Sequence, residues 1–386
     1  PYKQSDRQEI YKKYAEQLLR EGKAYYCFLT DEELEAQREK NKHAGTQMHI
    51  QSPYADWSLE QALERLSKGD KAVVRFKTQH LKKDYLLQDM VRGEVTFPSD
   101  MIGDFVLLRS GGMPVYNFCC VIDDHLMEIS HVLRAEEHLS NTLRQLMIYE
   151  AFGWTLPQFG HFSLILDEDR QKLSKRKGAV ACGMFQEEGY LPEALLNFLI
   201  LLGWSHPQEK EVLSLQEMIE SFSMERVNVS GAVFDRVKLK WMNGMHLRAK
   251  PSEELWNLIE PFLQKNQVSY HQDIAWKTAS VEAFKAAMEV LTDAVPLYRQ
   301  LISDGFTILP EASEIDAWET TPAVLKQWLT EIENFARDTI SGDEFLQIQD
   351  RVKAATGAKG KQLFMPMRVA VVGKPHGTEL KLVVPL

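Results

Sequence analysis

Four positively charged side chains lie between residues 172 and 177, in the run KLSKRK. This run follows an apolar segment, HFSLIL (161–166), which predicts a short buried strand. Ligands of open α/β sheets bind beyond the carboxyl ends of strands, where lysines can neutralise charge that develops on a transferring phosphate. A solvated charge run is the usual explanation of an isolated Lys/Arg cluster, but the position after a strand favours a phosphate site.

A second group of polar side chains lies in segment 111–141, close to the ends of two predicted strands. An arginine beside two glutamates and a histidine could hold a carboxylate substrate and a ribose. A surface ion-pair cluster is the alternative, and these residue types taken alone favour it. The group comprises Tyr116, Asp123, Asp124, Arg134, Glu136, Glu137 and His138.

Several common catalytic and metal-binding patterns are absent from the sequence. It contains no GxxxxGK[ST], GxGxxG, HExxH or GxSxG motif, which lowers support for P-loop, dinucleotide-binding, zinc-protease and hydrolase sites. Cys119 and Cys120 are adjacent in a predicted strand, so their side chains should point to opposite faces and cannot share a metal ion. His125, His131 and His138 have no cysteine partners at ligand spacing, so we expect no metal site.

The composition is that of an acidic globular protein. The 386 residues include 45 Lys and Arg and 55 Asp and Glu, which gives a net charge of −10. This excludes a uniformly basic nucleic-acid coat but allows a local basic strip. The four cysteines indicate a reducing compartment, and no apolar run reaches the roughly 18 residues of a membrane span. We therefore predict a soluble, cytoplasmic protein of two or three domains.

The predicted elements change from mixed to helical near residue 183. Before it, apolar periodicity predicts helices over 5–21, 30–42 and 140–153. Strand-like runs cover 71–78, 94–98, 104–110, 115–126 and 161–166, with turn residues at 92–93. The succession of strand, helix and strand over 115–166 predicts a parallel α/β unit. After residue 183, a period of 3.6 predicts a helix over 191–204 and further helices to about residue 359.

Three stretches are more specific than these general patterns. They are DMVRGEVTF (89–97), MPVYNFCCVIDDHLMEISHVLRAEEHLSNTLRQ (113–145), and KLSKRKGAV (172–180) followed by EEGYLPEALLNFLILLGWS (187–205). Together they resemble bacterial glutamyl-tRNA synthetases, which are class I aminoacyl-tRNA synthetases, and KLSKR matches one form of the family's KMSKS loop. The resemblance continues through YKQSDR (2–7), VFDRVKLKWMNGMHL (233–247) and GKQLFMPMRVAVVG (360–373).

The resemblance implies a fold of α/β plus all-α class. It comprises a partial Rossmann-type class I catalytic domain with an inserted acceptor-binding domain, followed by an α-helical anticodon-binding region. The implied segments are 1–25 (end of the first Rossmann half), 26–110 (inserted domain), 111–182 (second Rossmann half with the KLSKR loop), 183–250 (stem-contact region) and 251–386 (anticodon-binding region, incomplete).

The resemblance also implies the reaction and its partners. The carboxylate of L-glutamate attacks the α-phosphorus of ATP, which gives glutamyl-adenylate and pyrophosphate, and the terminal hydroxyl of tRNA-Glu then takes the glutamyl group. Mg²⁺ would accompany ATP and be held mainly by its phosphates. A monomer without a membrane partner is expected.

The site residues follow from the positions that match the family's motifs. Lys175 would stabilise the phosphate charge of the transition state, and Arg134 and Tyr116 would bind glutamate, since arginine is a natural partner of a carboxylate. The catalytic loop would comprise Lys172, Ser174, Lys175 and Arg176. The residues that line the ATP site, together with Lys175, would be Glu137, His138, Leu164 and Ile165.

The sequence departs from the family pattern in three places. It lacks the N-terminal Rossmann half with its HIGH motif, and the helical region ends at Leu386 with an incomplete anticodon-binding surface. Only Cys27 remains of the cysteines at 27 and 29 that help to bind zinc in some relatives, so we expect no zinc. A non-catalytic tRNA-binding fragment is therefore an alternative to the enzyme. The short paralogue that glutamylates a queuosine base is disfavoured by the helices after residue 251.

The anticodon-binding region suggests a hypothesis about tRNA choice. Family members that exclude tRNA-Gln commonly carry an arginine in the first helices of this region, where it hydrogen-bonds the wobble cytosine. The alignment predicts this helix over 286–297, AAMEVLTDAVPL, which contains no Lys or Arg. The hypothesis is that the enzyme also charges tRNA-Gln. The alternative is a shifted alignment in which Arg299 recognises the base.

Overall fold

The computed structural model describes residues 2–44, 49–78, 83–98, 101–173, 181–302, 307–337 and 339–386. Contacts between Cα atoms divide the chain into two compact units. The first comprises Pro1–Ile165, Gly203–Ser205 and Ser223–Ala232, and the second comprises Leu166–Leu202, His206–Phe222 and Val233–Leu386. Each unit has its own hydrophobic core.

The first unit combines helices with two sheets. Its helices are α1 (Gln8–Arg20), α2 (Asp31–Ala44), α3 (Leu59–Ser67), α4 (Tyr116–Leu126) and α5 (Leu139–Phe152). Its strands are β1 (Ala24–Cys27), β2 (Val73–Phe76), β3 (Tyr85–Asp89), β4 (Gly93–Phe97), β5 (Phe105–Leu108), β6 (His131–Ala135) and β7 (Gln158–Phe162). One sheet is antiparallel, in the order β1–β2–β5, and the other has the order β4–β3–β7–β6.

The second sheet contains a parallel α/β unit, as predicted, but its strands are β6 and β7 and not the predicted strands 115–126 and 161–166. Strands β3, β7 and β6 are parallel, and β4 pairs antiparallel with β3. The crossover from β6 to β7 is α5, which ends at Gly153 in the left-handed region with φ 69°. The turn predicted at 92–93 lies between β3 and β4, so strands from within segment 26–110 pair with a strand of segment 111–182. The domain boundaries themselves stay a prediction.

The prediction of a strand over 115–126 is wrong, because Tyr116–Leu126 is the helix α4. Its buried residues Phe118, Cys119, Val121 and Ile122 have the spacing of a helical face. A short continuous apolar run does not distinguish a strand from a buried helix, and the strand that leads to Arg134 is β6 instead. Cys119 and its neighbour in sequence therefore project about 100° apart and not from opposite faces of a strand.

A partly buried carboxylate connects α1 with α4. Asp123 of α4 accepts hydrogen bonds from the Arg7 Nε at 2.8 Å and from the Tyr11 hydroxyl at 2.8 Å. The bond to Asp123 is the largest cause that raises the pKa of Arg7, and burial raises the pKa of Tyr11 to about 12. Asp123 therefore has a structural role in this unit.

The second unit is built mainly of helices, as the period of 3.6 predicted. They are α6 (Cys182–Glu188), α7 (Pro192–Gly203), α8 (Leu215–Ser221), α9 (Arg236–Ala249), α10 (Ser252–Lys265), α11 (Ile274–Phe284), α12 (Ala294–Ile302), α13 (Ser313–Asp316), α14 (Thr321–Glu333), α15 (Gly342–Thr356), α16 (Lys361–Val372) and α17 (Leu380–Val383). The short strands β8 (Ile165–Leu166) and β9 (Ala232–Val233) lie where the chain passes from one unit to the other.

The single helix predicted over 286–297 is also not observed. A 3₁₀ turn at Lys285–Ala287 and a second at Leu291–Asp293 precede α12, which begins only at Ala294. The Asp293 carboxylate accepts hydrogen bonds from the backbone amides of Glu289 and Val290, at 2.9 and 3.0 Å. These bonds hold a turn where the alignment with the family predicted a continuous helix.

A glycine allows close backbone packing in the second unit. Gly189 has φ +89°, and a Cβ there would lie 2.8 Å from the Thr292 backbone nitrogen and 2.9 Å from that of Leu291. The Leu291 amide donates a 2.9 Å hydrogen bond to the Gly189 carbonyl. Gly357 also has positive φ (+68°), but a Cβ there would meet nothing within 4 Å.

We predict that Gly189→Ala destabilises the protein much more than Gly357→Ala. The control substitution costs about 1–2 kcal/mol because alanine disfavours the left-handed region. At Gly189 the overlap with backbone atoms adds about 1–3 kcal/mol, since the backbone of Leu291 and Thr292 must move. Thermal melting points of the two variants and the parent protein measure the difference. Equal shifts for the two variants would show that the close approach has no energetic effect.

Candidate active site

The candidate site lies at the carboxyl edge of the parallel strands in the first unit. Asp89 is the last residue of β3, Arg134 is near the end of β6, and His161 is near the end of β7. The register pairs Arg134 with His161 and Asp89 with Phe159. Three polar side chains therefore meet at the edge where ligands of α/β sheets bind.

The guanidinium of Arg134 is held by neutral acceptors. Its Nε donates to Nε2 of His161 at 3.2 Å, and its Nη2 donates to the Thr142 Oγ1 at 2.8 Å and the Gln145 Oε1 at 2.7 Å. Its Nη1 is 3.4 Å from the hydroxyl of Tyr116. Among the described residues, Arg134 forms no salt bridge. A half-buried cation without a carboxylate partner is suited to bind an anionic ligand.

Tyr116 and His138, two of the predicted site residues, lie beside this arginine. Tyr116 is the first residue of α4, and its ring centroid is 5.7 Å from that of His138. Burial raises the pKa of the Tyr116 phenol, so the hydroxyl stays protonated and can donate as well as accept a hydrogen bond. The structure therefore brings together Arg134 and Tyr116, the two residues predicted to bind glutamate.

The buried partner of His161 is Asp89. Nδ1 of His161 lies 2.6 Å from Asp89 Oδ2, and both side chains are fully buried. Burial lowers the pKa of His161, against the effect of the nearby carboxylate, so the imidazole is neutral. Burial opposes ionisation of Asp89, but hydrogen bonds from His161 and backbone amides outweigh it and lower the pKa of Asp89.

The predicted ATP-binding residues lie on the segments that follow β6 and β7. Glu137 and Ile165 are exposed, whereas His138 and Leu164 are half-buried. The Leu164 amide donates a 3.2 Å hydrogen bond to Oε1 of Glu136, whose other oxygen pairs with Arg92.

The two aspartates of the 111–141 group have different partners. Asp123 binds Arg7 and Tyr11, as described above. Asp124 is half-buried, its Oδ2 lies 3.5 Å from Sγ of Cys120, and burial raises the pKa of its carboxyl group. The ion-pair alternative that the sequence allowed therefore holds for Asp123, which pairs with Arg7, and for Glu136, which pairs with Arg92, whereas Asp124 forms no salt bridge among the described residues.

The cationic loop is described only at its start. Lys172 forms an isolated β-bridge with Leu166, and Leu173 packs against the core cluster of Phe185, Phe198 and Phe234. Ser174, Lys175 and Arg176 lie outside the described residues. Lys172 belongs to the second unit and Arg134 to the first.

Five residues that position Arg134 and Leu164 were not predicted as site residues. Asp89 could have been found from the sequence, because it follows Tyr85 and Leu87 at every second position of β3 and so falls on the buried face of the strand. A carboxylate on a buried face needs a hydrogen-bond partner. The remaining four are Arg92, Thr142, Gln145 and His161. Their residue types gave no signal, since polar side chains in turns, helices and strands are usually exposed.

Comparison with known proteins identifies the family. Residues 1–241 match the model of the class I tRNA synthetase (E and Q) catalytic domain, and residues 254–386 match an anticodon binding domain. A glutamate–tRNA ligase of Bdellovibrio bacteriovorus is 61% identical over 386 residues, which is the whole chain and 78% of that relative. The chain belongs to the glutamate–tRNA ligase family.

Other relatives of the ligase agree with this assignment. A glutamate–tRNA ligase of Natranaerobius thermophilus is 44% identical over 393 residues, covering all of this chain and 80% of its own. The crystal structure of a glutamate tRNA ligase from Elizabethkingia meningosepticum aligns with a TM-score of 0.86 and 29% identity, over 99% of this chain and 81% of its own. The resemblance, the α/β plus all-α fold class and the enzyme class predicted from the sequence are confirmed.

The ligase shows no candidate metal centre within the ranges that the structure describes. No group of three or more His, Cys, Asp or Glu side chains there could hold a metal ion. Cys27 is buried, with its Sγ 3.4 Å from the Ser52 Oγ, and Leu29 packs in the same apolar cluster. Among these same residues, no helix is long and apolar enough to cross a membrane.

We predict that the purified ligase contains no stoichiometric zinc, because stable zinc sites need three or four thiolate, imidazole or carboxylate ligands. Elemental analysis by plasma mass spectrometry of protein prepared without chelators measures the content. Cys27→Ser serves as the control and should leave the metal content unchanged. One zinc per chain that is lost in the Cys27→Ser protein would contradict the prediction.

Proposed function

We propose that Arg134 and Tyr116 bind L-glutamate in this ligase while ATP converts it to glutamyl-adenylate for transfer to the 3′ end of tRNA-Glu. The main support is the guanidinium of Arg134, which lies at the carboxyl edge of the sheet without a carboxylate partner among the described residues. A substrate carboxylate supplies the missing anion, and a charge-assisted hydrogen bond to it is stronger than a neutral one.

The hydrogen bonds of Arg134 restrict how the carboxylate binds. Nε is used by His161, and both hydrogens of Nη2 have acceptors in Thr142 and Gln145. The substrate therefore meets Nη1, with the hydroxyl of Tyr116 as its neighbour. Contact at a single nitrogen replaces the two-nitrogen fork that arginine often offers a carboxylate.

For the nucleotide, we propose the roles given by the motif positions. Glu137, His138 and the backbone of Leu164 and Ile165 line the ATP site, and the bond from Leu164 to Glu136 supports this by fixing that backbone. Mg²⁺ would accompany ATP and be held mainly by its phosphates. Lys175 stabilises the transition-state charge, and Lys172, Ser174 and Arg176 complete its loop.

We predict that Arg134→Ala raises the KM for glutamate strongly and the KM for ATP little. The lost charge-assisted bond is worth about 1.5–3 kcal/mol, which corresponds to a roughly 10- to 150-fold rise. ATP–pyrophosphate exchange by the intact gene product, with and without tRNA, measures both constants. Arg144→Ala is the matched control, since the described hydrogen bond of Arg144 goes to the Ser140 carbonyl of its own helix. An equal rise for both substrates would indicate a structural role for Arg134.

The choice of tRNA stays part of the proposal. Segment 286–297 has no Lys or Arg, although it forms two turns and the start of α12 and not one helix. Arg299 is exposed on α12, where its Nη2 donates to the Asn266 carbonyl at 3.2 Å.

We predict that the ligase also charges tRNA-Gln, because segment 286–297 lacks the donor that would distinguish the wobble base. Charging assays with purified tRNA-Glu and tRNA-Gln at matched concentrations measure this. If only tRNA-Glu is charged, the hypothesis is wrong. Arg299→Ala then tests whether Arg299 is the discriminating residue.

A further inference from the structure

Asp89 and His161 form a buried pair behind the proposed glutamate-binding arginine. Oδ1 of Asp89 accepts hydrogen bonds from the backbone amides of Val91, Arg92 and His161, at 3.0, 3.0 and 3.1 Å. Its Oδ2 is left for Nδ1 of the imidazole, at 2.6 Å. These bonds fix the carboxylate in one orientation, because every acceptor position that faces the protein is used.

The fixed carboxylate decides which nitrogen of His161 carries the proton. An ionised carboxylate can only accept, so Nδ1 is the protonated nitrogen and Nε2 has a free lone pair. Nε2 faces the Nε–H of Arg134 at 3.2 Å. The hydroxyl of Thr142 lies 3.0 Å from the same nitrogen and 3.2 Å from the His138 carbonyl. With Nδ1 protonated, Nε2 is the acceptor that both the Thr142 hydroxyl and Nε of Arg134 can reach, while Nη2 of Arg134 donates to Oγ1 of Thr142.

We propose that Asp89 and His161 are positioning residues that orient Arg134 toward the carboxylate of glutamate. The proposal rests on the function proposed above for Arg134 and extends it to two buried residues that do not touch the substrate. Asp89 sets the tautomer of His161, His161 holds Nε of the guanidinium, and this hold directs Nη1 toward Tyr116 and the substrate. A ligand-binding group whose outer partner is lost binds less well because it adopts several orientations.

The arrangement also makes glutamate binding depend on pH. The charged groups that face His161 are Asp89 from β3, Arg92 from the following turn and Arg134 from β6. Burial and the two arginines lower the pKa of His161 from its ordinary value of 6.5, and Asp89 opposes them. Protonation of Nε2 removes the acceptor for Arg134 and places two cations side by side. The KM for glutamate should therefore rise only when the pH falls to the lowered pKa of His161, which lies below 6.5, while the KM for ATP should not follow it.

Asp89→Asn in the intact gene product tests the proposal. The three amides at Oδ1 require an oxygen, so the new amide nitrogen faces Nδ1 of His161 and forces the proton onto Nε2. Two donors then face each other at Arg134. We expect the KM for glutamate in ATP–pyrophosphate exchange to rise by roughly 10- to 100-fold and the KM for ATP to stay within about twofold.

Asp123→Asn is the matched control. Asp123 is a mostly buried carboxylate of the same unit that binds Arg7 and Tyr11 and has no contact with Arg134. The Asp123→Asn substitution should lower the melting point of the protein and leave its KM for glutamate unchanged. If Asp89→Asn raises both Michaelis constants in proportion to its loss of stability, as a structural residue would, the positioning role is overturned.

The Arg134→Ala result separates failure of this proposal from failure of the proposed function. If Arg134→Ala raises the KM for glutamate and Asp89→Asn does not, the positioning role is wrong and the proposed function stands. If Arg134→Ala has no effect on that constant, the proposed function itself fails. Should Asp89→Asn not fold, the pH profile of the unsubstituted enzyme decides, because a KM for glutamate that already rises as the pH falls from 7.5 to 6.5 contradicts an acceptor His161 that is neutral in this range.

Discussion

The candidate site depends on one buried interaction, the hydrogen bond between the Asp89 carboxylate and the His161 imidazole. A buried carboxylate is costly unless its oxygens are satisfied, and here three backbone amides and one imidazole satisfy them. Because two of these amides belong to the turn after β3 and the third to β7, the same carboxylate also joins neighbouring parallel strands. Asp89 thus fixes the arrangement of the strands at this edge of the sheet and, through His161, the orientation of the proposed substrate-binding residue Arg134.

Next to this pair, the guanidinium of Arg134 forms no salt bridge with any residue that the structure describes. The described partners of Arg134 are the neutral groups of His161, Thr142, Gln145 and Tyr116, whereas the nearby Arg92 is paired with Glu136. This division gives the two arginines different roles, because a paired arginine fixes backbone and an unpaired one can bind an anion. Glu136 also fixes backbone, because its other carboxylate oxygen accepts a hydrogen bond from the Leu164 amide beside the proposed nucleotide site.

The second unit is stabilised differently, by close backbone packing and by polar side chains that are buried between helices. Gly189 brings the end of α6 against Leu291 and Thr292. Asn243 of α9 is fully buried, accepts from the Leu191 amide at 2.8 Å and donates to the Glu289 carbonyl. Gly189 and Leu191 are thereby connected by hydrogen bonds to the first turns of the anticodon-binding region, and Leu191 belongs to the same hydrophobic cluster as its helices.

The sequence by itself determined the family, the change from α/β to helical architecture and the helix α5, because motifs and apolar periodicity are local properties, and the family resemblance named Arg134 and Tyr116. It misassigned α4 as a strand, since a short apolar run fits either element when its packing partners are unknown. The helix that the alignment predicted over 286–297 is not observed, because the Asp293 carboxylate accepts hydrogen bonds from the backbone amides of Glu289 and Val290 and holds a turn there. Only the tertiary structure showed that Asp89, 72 residues from His161 in sequence, lies within hydrogen-bond distance of the imidazole that contacts Arg134. Such a link depends on which strands become neighbours, and strand order is a property of the whole sheet.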